Sequence, residues 1–167
     1  WLPKEKIVRV VAPAEGRSAD AQADEGLLHD LTLEMGDELD VSRTLENIGG
    51  SKEAYVGILK VFLQNLPNRL PLLGAYLDAS DWEAFRIEAH AMKSACANIG
   101  TRRLSLSARS LEMAAQERRD DYIREHYPSF IDEMRQFARK LETVLAIGRV
   151  STAAKPSRAS EADLREL

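Results

Sequence analysis

The chain has 167 residues, three His, one Cys, 44% hydrophobic and 30% charged residues, and a formal net charge of −4. That is about one ordinary domain with enough apolar material for a core. Mild net acidity removes the positive field that nucleic-acid or anionic-membrane binding draws on, and one cysteine closes no internal disulfide, so we expect neither nucleic acid nor direct membrane contact, and a reducing, cytoplasmic setting. No apolar run reaches the roughly 18 residues of a spanning helix. The sequence starts at Trp1 without an initiator Met or a charged-then-apolar leader, which reads as a piece of a longer chain, its parent open to membrane anchoring elsewhere.

From Trp1 to about Asp40 a short β-type run (Ile7, Val8, Val10, Val11) gives way to Pro13, Gly16, Ser18 and scattered Ala, Asp and Glu, a linker-like composition assigned to residues 1–38. Within it, Gly26–Glu38 reads as a weak helix or extended arm whose Leu27, Leu28, Leu31 and Leu33 have something to dock on only if a core lies nearby. Residues 39–147 carry the helical pattern. A small helix over Val41–Ile48 comes first. Ser51 then caps a helix whose apolar face is Tyr55, Ile58, Leu59, Phe62, Leu63 and Leu66, and which should stop before Pro67. Pro67 suits the first position of another, marked by Leu70, Leu73 and Leu77. Ser80 and Asp81 cap the next, with Phe85, Met92 and Ile99 recurring every seven residues until Gly100 supplies a left-handed stop. Thr101 is placed to cap a helix carrying Leu104, Ala108, Leu111 and Ala115. The run Gln116–Asp121 marks a turn, and a last helix after Pro128 carries Phe130, Met134, Phe137, Leu141 and Leu145, ending near Gly148. Residues 148–167, with Ala, Ser, charges and Pro156, read as a mobile tail. The expectation is all-α: an up-and-down four-helix bundle with one short extra helix and flexible ends.

The chain offers no P-loop, dinucleotide fingerprint, HExxH, CxxC or nucleophile elbow. His29, His90 and His126 are far apart, and no Glu-x-x-His pair projects from one helix, so a metal-centred bundle has no ligand set to build on. On a wheel of the Asp81–Ile99 helix at about 100° per residue, Phe85, Ala89, Met92, Cys96 and Ile99 share one side and His90 lies nearly opposite. Arg86, Ile87, Lys93, Ser94 and Ala97 surround it, and the small Ser94 and Ala97 leave room for a large partner. Most outward helical histidines do nothing. The chemistry this one suits is nucleophilic phosphoryl transfer, because an imidazole titrating near 6.5 presents a lone pair at neutral pH and a flanking cation steadies the phosphoryl charge. No acid, base or magnesium cage is legible beside His90, so the other reactant would have to bring them.

The stretch His90-Ala-Met92-Lys93-Ser94-Ala-Cys-Ala-Asn98-Ile99-Gly100, followed by Leu104, Ala108, Leu111 and Glu112, resembles the signature of histidine-containing phosphotransfer (HPt) domains. The family pattern is His, any residue, Leu, Lys, Gly, a second Gly about six positions on, and a Leu-Glu pair on the next helix. The resemblance extends upstream through LENIGGSKEAYVGILKVFLQNL and covers about Leu39 to Leu145. It implies a helical bundle with His90 as phosphoacceptor and Lys93 as the phosphoryl-stabilising cation. Met92 stands for the family's Leu, Ser94 for its Gly, and Thr101 for a common Ala. It further implies receiver domains as partners, Mg²⁺ supplied by the receiver with no cofactor or metal bound by the bundle, and no kinase activity of its own. Trp1-Leu2-Pro3-Lys4 resembles the tail after a receiver domain, which would make the chain the C-terminal module of a hybrid sensor histidine kinase.

Other residues carry plainer readings. Ile87, with Ala91, would supply the apolar part of a docking surface. Arg102, Arg103 and Arg109 would form a basic rim toward an acidic receiver pocket, or else a solvated helix face. His29 in the linker and His126 in the REHYP turn read as incidental, and Cys96 as a small buried hydrophobe. The competing functional reading is a docking or scaffold bundle that regulates a receiver or kinase without being phosphorylated.

Overall fold

The computed structural model describes residues 15–153. The segments 1–14 and 154–167, with the β-type run, the receiver-like tail Trp1–Lys4 and most of the expected C-terminal tail, lie outside the described residues. Among the described residues six helices follow one another: α1 (Glu15–Met35), α2 (Val41–Asn47), α3 (Lys52–Asp78), α4 (Trp82–Ile99), α5 (Arg102–Gln116) and α6 (Asp120–Ala153), with a 3₁₀ turn at Gly36–Glu38 after α1. Among the described residues there is no strand, and no helix is long and apolar enough to cross a membrane. Neighbours in sequence pack as neighbours in space: α3 on α4, α4 on α5, α5 on α6. The up-and-down bundle expected from the short connections is therefore present.

Three elements depart from the sequence reading. The first is α1, which is no linker over its described length: Leu28, Leu31 and Met35 are buried in the same core as the bundle, and the helix packs chiefly on α6 and also on α3. Its stripe, at spacings of three and four and continued by buried Leu39, is too short to stand out in a charged stretch, and Leu33, grouped with it in the sequence reading, is 66% exposed. The buried core thus begins at Leu28 rather than Leu39. Second, α3 is one helix through Pro67 and Pro71. Each proline removes one donor, from the bonds that would reach Leu63 and Pro67 carbonyls, and disfavours helix in an isolated chain. Here both are exposed, while Tyr55, Leu59, Phe62, Leu66, Leu70, Leu73 and Leu77 form one uninterrupted buried face. Burial of that face, at roughly 1.5–3 kcal/mol per large side chain, outweighs the loss. Third, α6 begins at Asp120, ahead of Pro128, and runs past Gly148. Asp120 and Asp121 complement its N-terminal dipole, and fully buried Ile123 carries the apolar stripe back before the proline.

One end of the bundle is closed by α2, and its attachment fixes the α4–α5 turn. Asp40 caps α2 through the Arg43 N–H (3.1 Å) and its own N–H donates to the Gly100 carbonyl (3.0 Å). The buried Tyr55 hydroxyl donates to the Ile99 carbonyl (2.9 Å), so α3 also grips the end of α4.

Candidate functional site

Helix α4 starts at Asp81, whose side chain accepts from the Ala84 N–H (3.1 Å), and ends at Gly100 in the left-handed conformation (φ 92°). Trp82, Phe85, Ala89, Met92, Cys96 and Ile99 are its buried face. The helical period then leaves His90 pointing outward, its side chain 56% exposed. After Gly100 the chain reverses into α5, whose buried face is Leu104, Ala108, Leu111, Ala114 and Ala115. Thr101 occupies the N-cap position but its side chain makes no capping bond; it is buried instead.

The reversal lays α5 antiparallel along α4. His90 and Glu112 are equally distant in sequence from Thr101, and they meet: Glu112 Oε1 is 2.7 Å from His90 Nδ1. Glu112 Oε2 is 2.7 Å from Lys93 Nζ, which itself lies 3.2 Å from His90 Nδ1. The Ser105 hydroxyl donates to the Lys93 carbonyl (3.0 Å), pinning the two helices just above the cluster. Sequence reasoning found no acid beside His90; the structure corrects this, because a carboxylate from the next helix sits on the imidazole. Its only sequence signal was membership of the Leu111-Glu112 pair together with the position of the Gly100 turn.

The Glu112 side chain is only 14% exposed. Burial pushes its carboxyl up, but the hydrogen bonds and charges of Lys93 and His90 outweigh this and hold it below the usual carboxylate range. An ionised carboxylate only accepts hydrogen bonds, so the 2.7 Å contact assigns the proton to Nδ1. Lys93 then donates to Oε2 rather than to the ring. Nε2 is left with its lone pair on the solvent side.

The remaining expected site residues divide. Ile87 is 54% exposed and Ala97 is exposed, both on the outward face of α4, with Ala91 half-buried. The Ser94 hydroxyl donates to the His90 carbonyl (3.0 Å), an internal helix contact that leaves the ring alone. Arg86 is not brought to the imidazole: its guanidinium binds both oxygens of Glu83 (3.1 and 2.7 Å). Arg102, Arg103 and Arg109 are exposed on α5, with Arg103 turned toward Glu133 of α6 (3.4 Å). Two exposed apolar residues of α5, Leu106 and Met113, lie outside the Leu104, Ala108, Leu111 and Ala115 stripe and were not singled out from the sequence. His29 is exposed on α1, and His126 lies within α6 rather than in a turn, its ring stacked on Tyr122 at 3.8 Å. Cys96 is fully buried, and burial pushes its thiol up to about 12. Among the described residues no group of His, Cys, Asp and Glu side chains is arranged to hold a metal. Two clefts of about 150 and 160 Å³ are lined from α3/α4 and α5/α6, and His90 is not among their lining residues.

An outward histidine on a central bundle helix, oriented by the next helix and flanked by a lysine one turn on, is the arrangement of a phosphotransfer bundle. Residues 57–126 match the family model of the Hpt domain. Hpt domains are carriers in phosphorelays of two-component signalling rather than kinases. The chain is also similar to the crystal structure of histidine-containing phosphotransfer protein B from Pseudomonas aeruginosa PAO1, with a TM-score of 0.51 and 27% identity over 71% of this chain and 97% of that one. No curated protein sequence matches it.

Proposed function

We propose that the bundle is a phosphorelay carrier in which His90 takes a phosphoryl group from the aspartyl phosphate of a receiver domain and hands it to a receiver aspartate. The observation that carries this reading is an outward ring, its side chain 56% exposed, whose Nδ1 lies 2.7 Å from Glu112 Oε1, which leaves Nε2 as the nitrogen available to a partner. The Nε2 lone pair attacks phosphorus, the bond from phosphorus to the aspartyl oxygen breaks, and the aspartate leaves as carboxylate; no proton has to move. Lys93, 27% exposed and on the same helix turn, is the cation that turns from Glu112 to the arriving phosphoryl oxygens. His90 lines neither cleft, so the partner brings its own pocket, which fits a receiver with its acidic, Mg²⁺-binding site. Ile87, Leu106 and Met113 give that partner apolar surface beside the charged centre, and Arg109 offers a basic contact near Glu112.

The test is transfer from a phosphorylated receiver to the native chain and to His90→Gln. Acid-labile, base-stable label on the native protein and none on the variant is expected. No label from several receivers that demonstrably bind the folded bundle would overturn the carrier reading in favour of a docking scaffold.

A further inference from the structure

Helix α3 carries two stripes. One is the buried face from Tyr55 to Leu77 that builds the core. The other, on the outward side, is Ile58, Val61, Asn65, Asn68, Leu72 and Ala75, which recur at alternating spacings of three and four and so lie within roughly 100° of arc. Val61 is 55% and Leu72 41% exposed; Asn65, Asn68 and Ala75 are exposed, and Ile58 is half-buried. In a chain with 30% charged residues, no exposed residue from Ala54 to Ala75 is charged. Lys60 and Arg69, the charged residues of that span, are half-buried, and Arg69 is bound to Glu88 of α4 (2.7 Å). A solvated helix carries its charges on the face away from the core, so a helix uncharged on both faces has a second surface to cover. We infer that this outward stripe is the interface with a second copy of the chain, the two α3 helices packing antiparallel about a two-fold axis between Leu66 and Pro67.

The stripe has the pattern that such pairing requires. Alternating spacings of three and four are those of a coiled-coil seam, and in a two-fold interface each position faces its mirror position through the axis. An axis between Leu66 and Pro67 sets Asn65 opposite the second copy's Asn68, Val61 opposite its Leu72, and Ile58 opposite its Ala75. Apolar then meets apolar and amide meets amide in both halves. The Asn65 carboxamide donates to the Val61 carbonyl of its own helix (2.9 Å). Its oxygen is left to accept from the facing Asn68, a paired polar contact of the kind that fixes register within a seam. Along the α4 side of the stripe runs the cleft of about 150 Å³, lined by Ile58, Val61 and Asn65 with Ala95 and Asn98 of α4, which gives the second copy's side chains a hole to enter. The absence of charge selects the occupant. Identical faces brought together set like charge near like charge wherever they carry any; the outward face of α5 does, with Arg102 and Arg109, and that of α3 does not. A seam about 26 Å long makes a small interface, so the association belongs to the weak, concentration-dependent class.

The experiment is sedimentation equilibrium of the full chain from about 1 μM to about 1 mM, the span over which a small interface associates. The average mass should rise toward twice that of one chain. Val61→Glu and Leu72→Lys each put an unpaired charge against an apolar side chain of the other copy and should weaken association at least about tenfold. Both side chains are exposed, and unchanged circular dichroism would show that the fold is intact. An equimolar mixture of the two variants then tests the register. Antiparallel pairing sets the introduced carboxylate of one chain against the introduced ammonium of the other and leaves a native Val61 to Leu72 contact across the axis, so the mixture should recover a mass that neither variant reaches alone at the same concentration. A chain that stays monomeric throughout overturns the inference, as does a dimer indifferent to Val61→Glu. Variants that are monomeric alone and stay so when mixed overturn the antiparallel register. The carrier reading stands or falls separately, on His90 of α4.

Discussion

Gly100 sets the register between α4 and α5, and replacing it by Ala tests whether the turn is as constrained as its geometry implies. Two costs combine at this position. The residue has φ 92°, which an L side chain adopts at a cost of about 1–2 kcal/mol. A Cβ there would also lie 2.9 Å from the Asp40 carbonyl oxygen and against Thr44 Oγ1. Neither neighbour is free to yield. The Thr44 hydroxyl donates to that same Asp40 carbonyl (2.7 Å), and the Asp40 N–H is bonded to Gly100 itself. Overpacking of this kind costs about 1–3 kcal/mol, so Gly100→Ala should destabilise by about 2–5 kcal/mol. Two controls separate the causes. Gly49 has φ 76° with nothing within 4 Å of where a methyl group would stand, so Gly49→Ala should show the backbone cost alone, about 1–2 kcal/mol. Gly57, exposed in the interior of α3 with open space around it, should become more stable by about 0.5–1 kcal/mol as Ala. Urea unfolding followed by circular dichroism, analysed at fixed m-value, gives all three. Gly100→Ala no costlier than Gly49→Ala would refute the argument that α2 clamps the turn.

Two further outcomes are expected. Leu31→Ala on α1 removes a side chain with 0% exposure and should cost about 2–5 kcal/mol in the same urea experiment; a value near zero would mean that α1 behaves as the linker its composition resembles. Cys96, fully buried with its thiol pushed up to about 12, should resist a thiol reagent at pH 8 until the domain unfolds; rapid stoichiometric labelling of the native protein would show that α4 opens far more readily than its packing implies.

What the sequence by itself determined is whatever depends on one helix at a time. The face of α4 was legible because buried Phe85, Met92 and Ile99 recur at helical spacing between a capping Asp81 and a left-handed Gly100, and that alone turns His90 outward. The core stripes of α5 and of the second part of α6 were legible for the same reason. Where propensity and packing compete, the sequence misled: Pro67 and Pro128 read as breaks because local rules count the missing donors and cannot count the apolar face that continues across them. Helix α1 read only as a weak helix or extended arm over Gly26–Glu38, because three apolar residues in a charged stretch become a stripe only when α6 and α3 stand beside them. The tertiary structure alone decided that Glu112 meets His90 and Lys93. That contact joins residues on different helices, and its existence depends on the angle and register of the Gly100 turn, which no periodicity within either helix encodes.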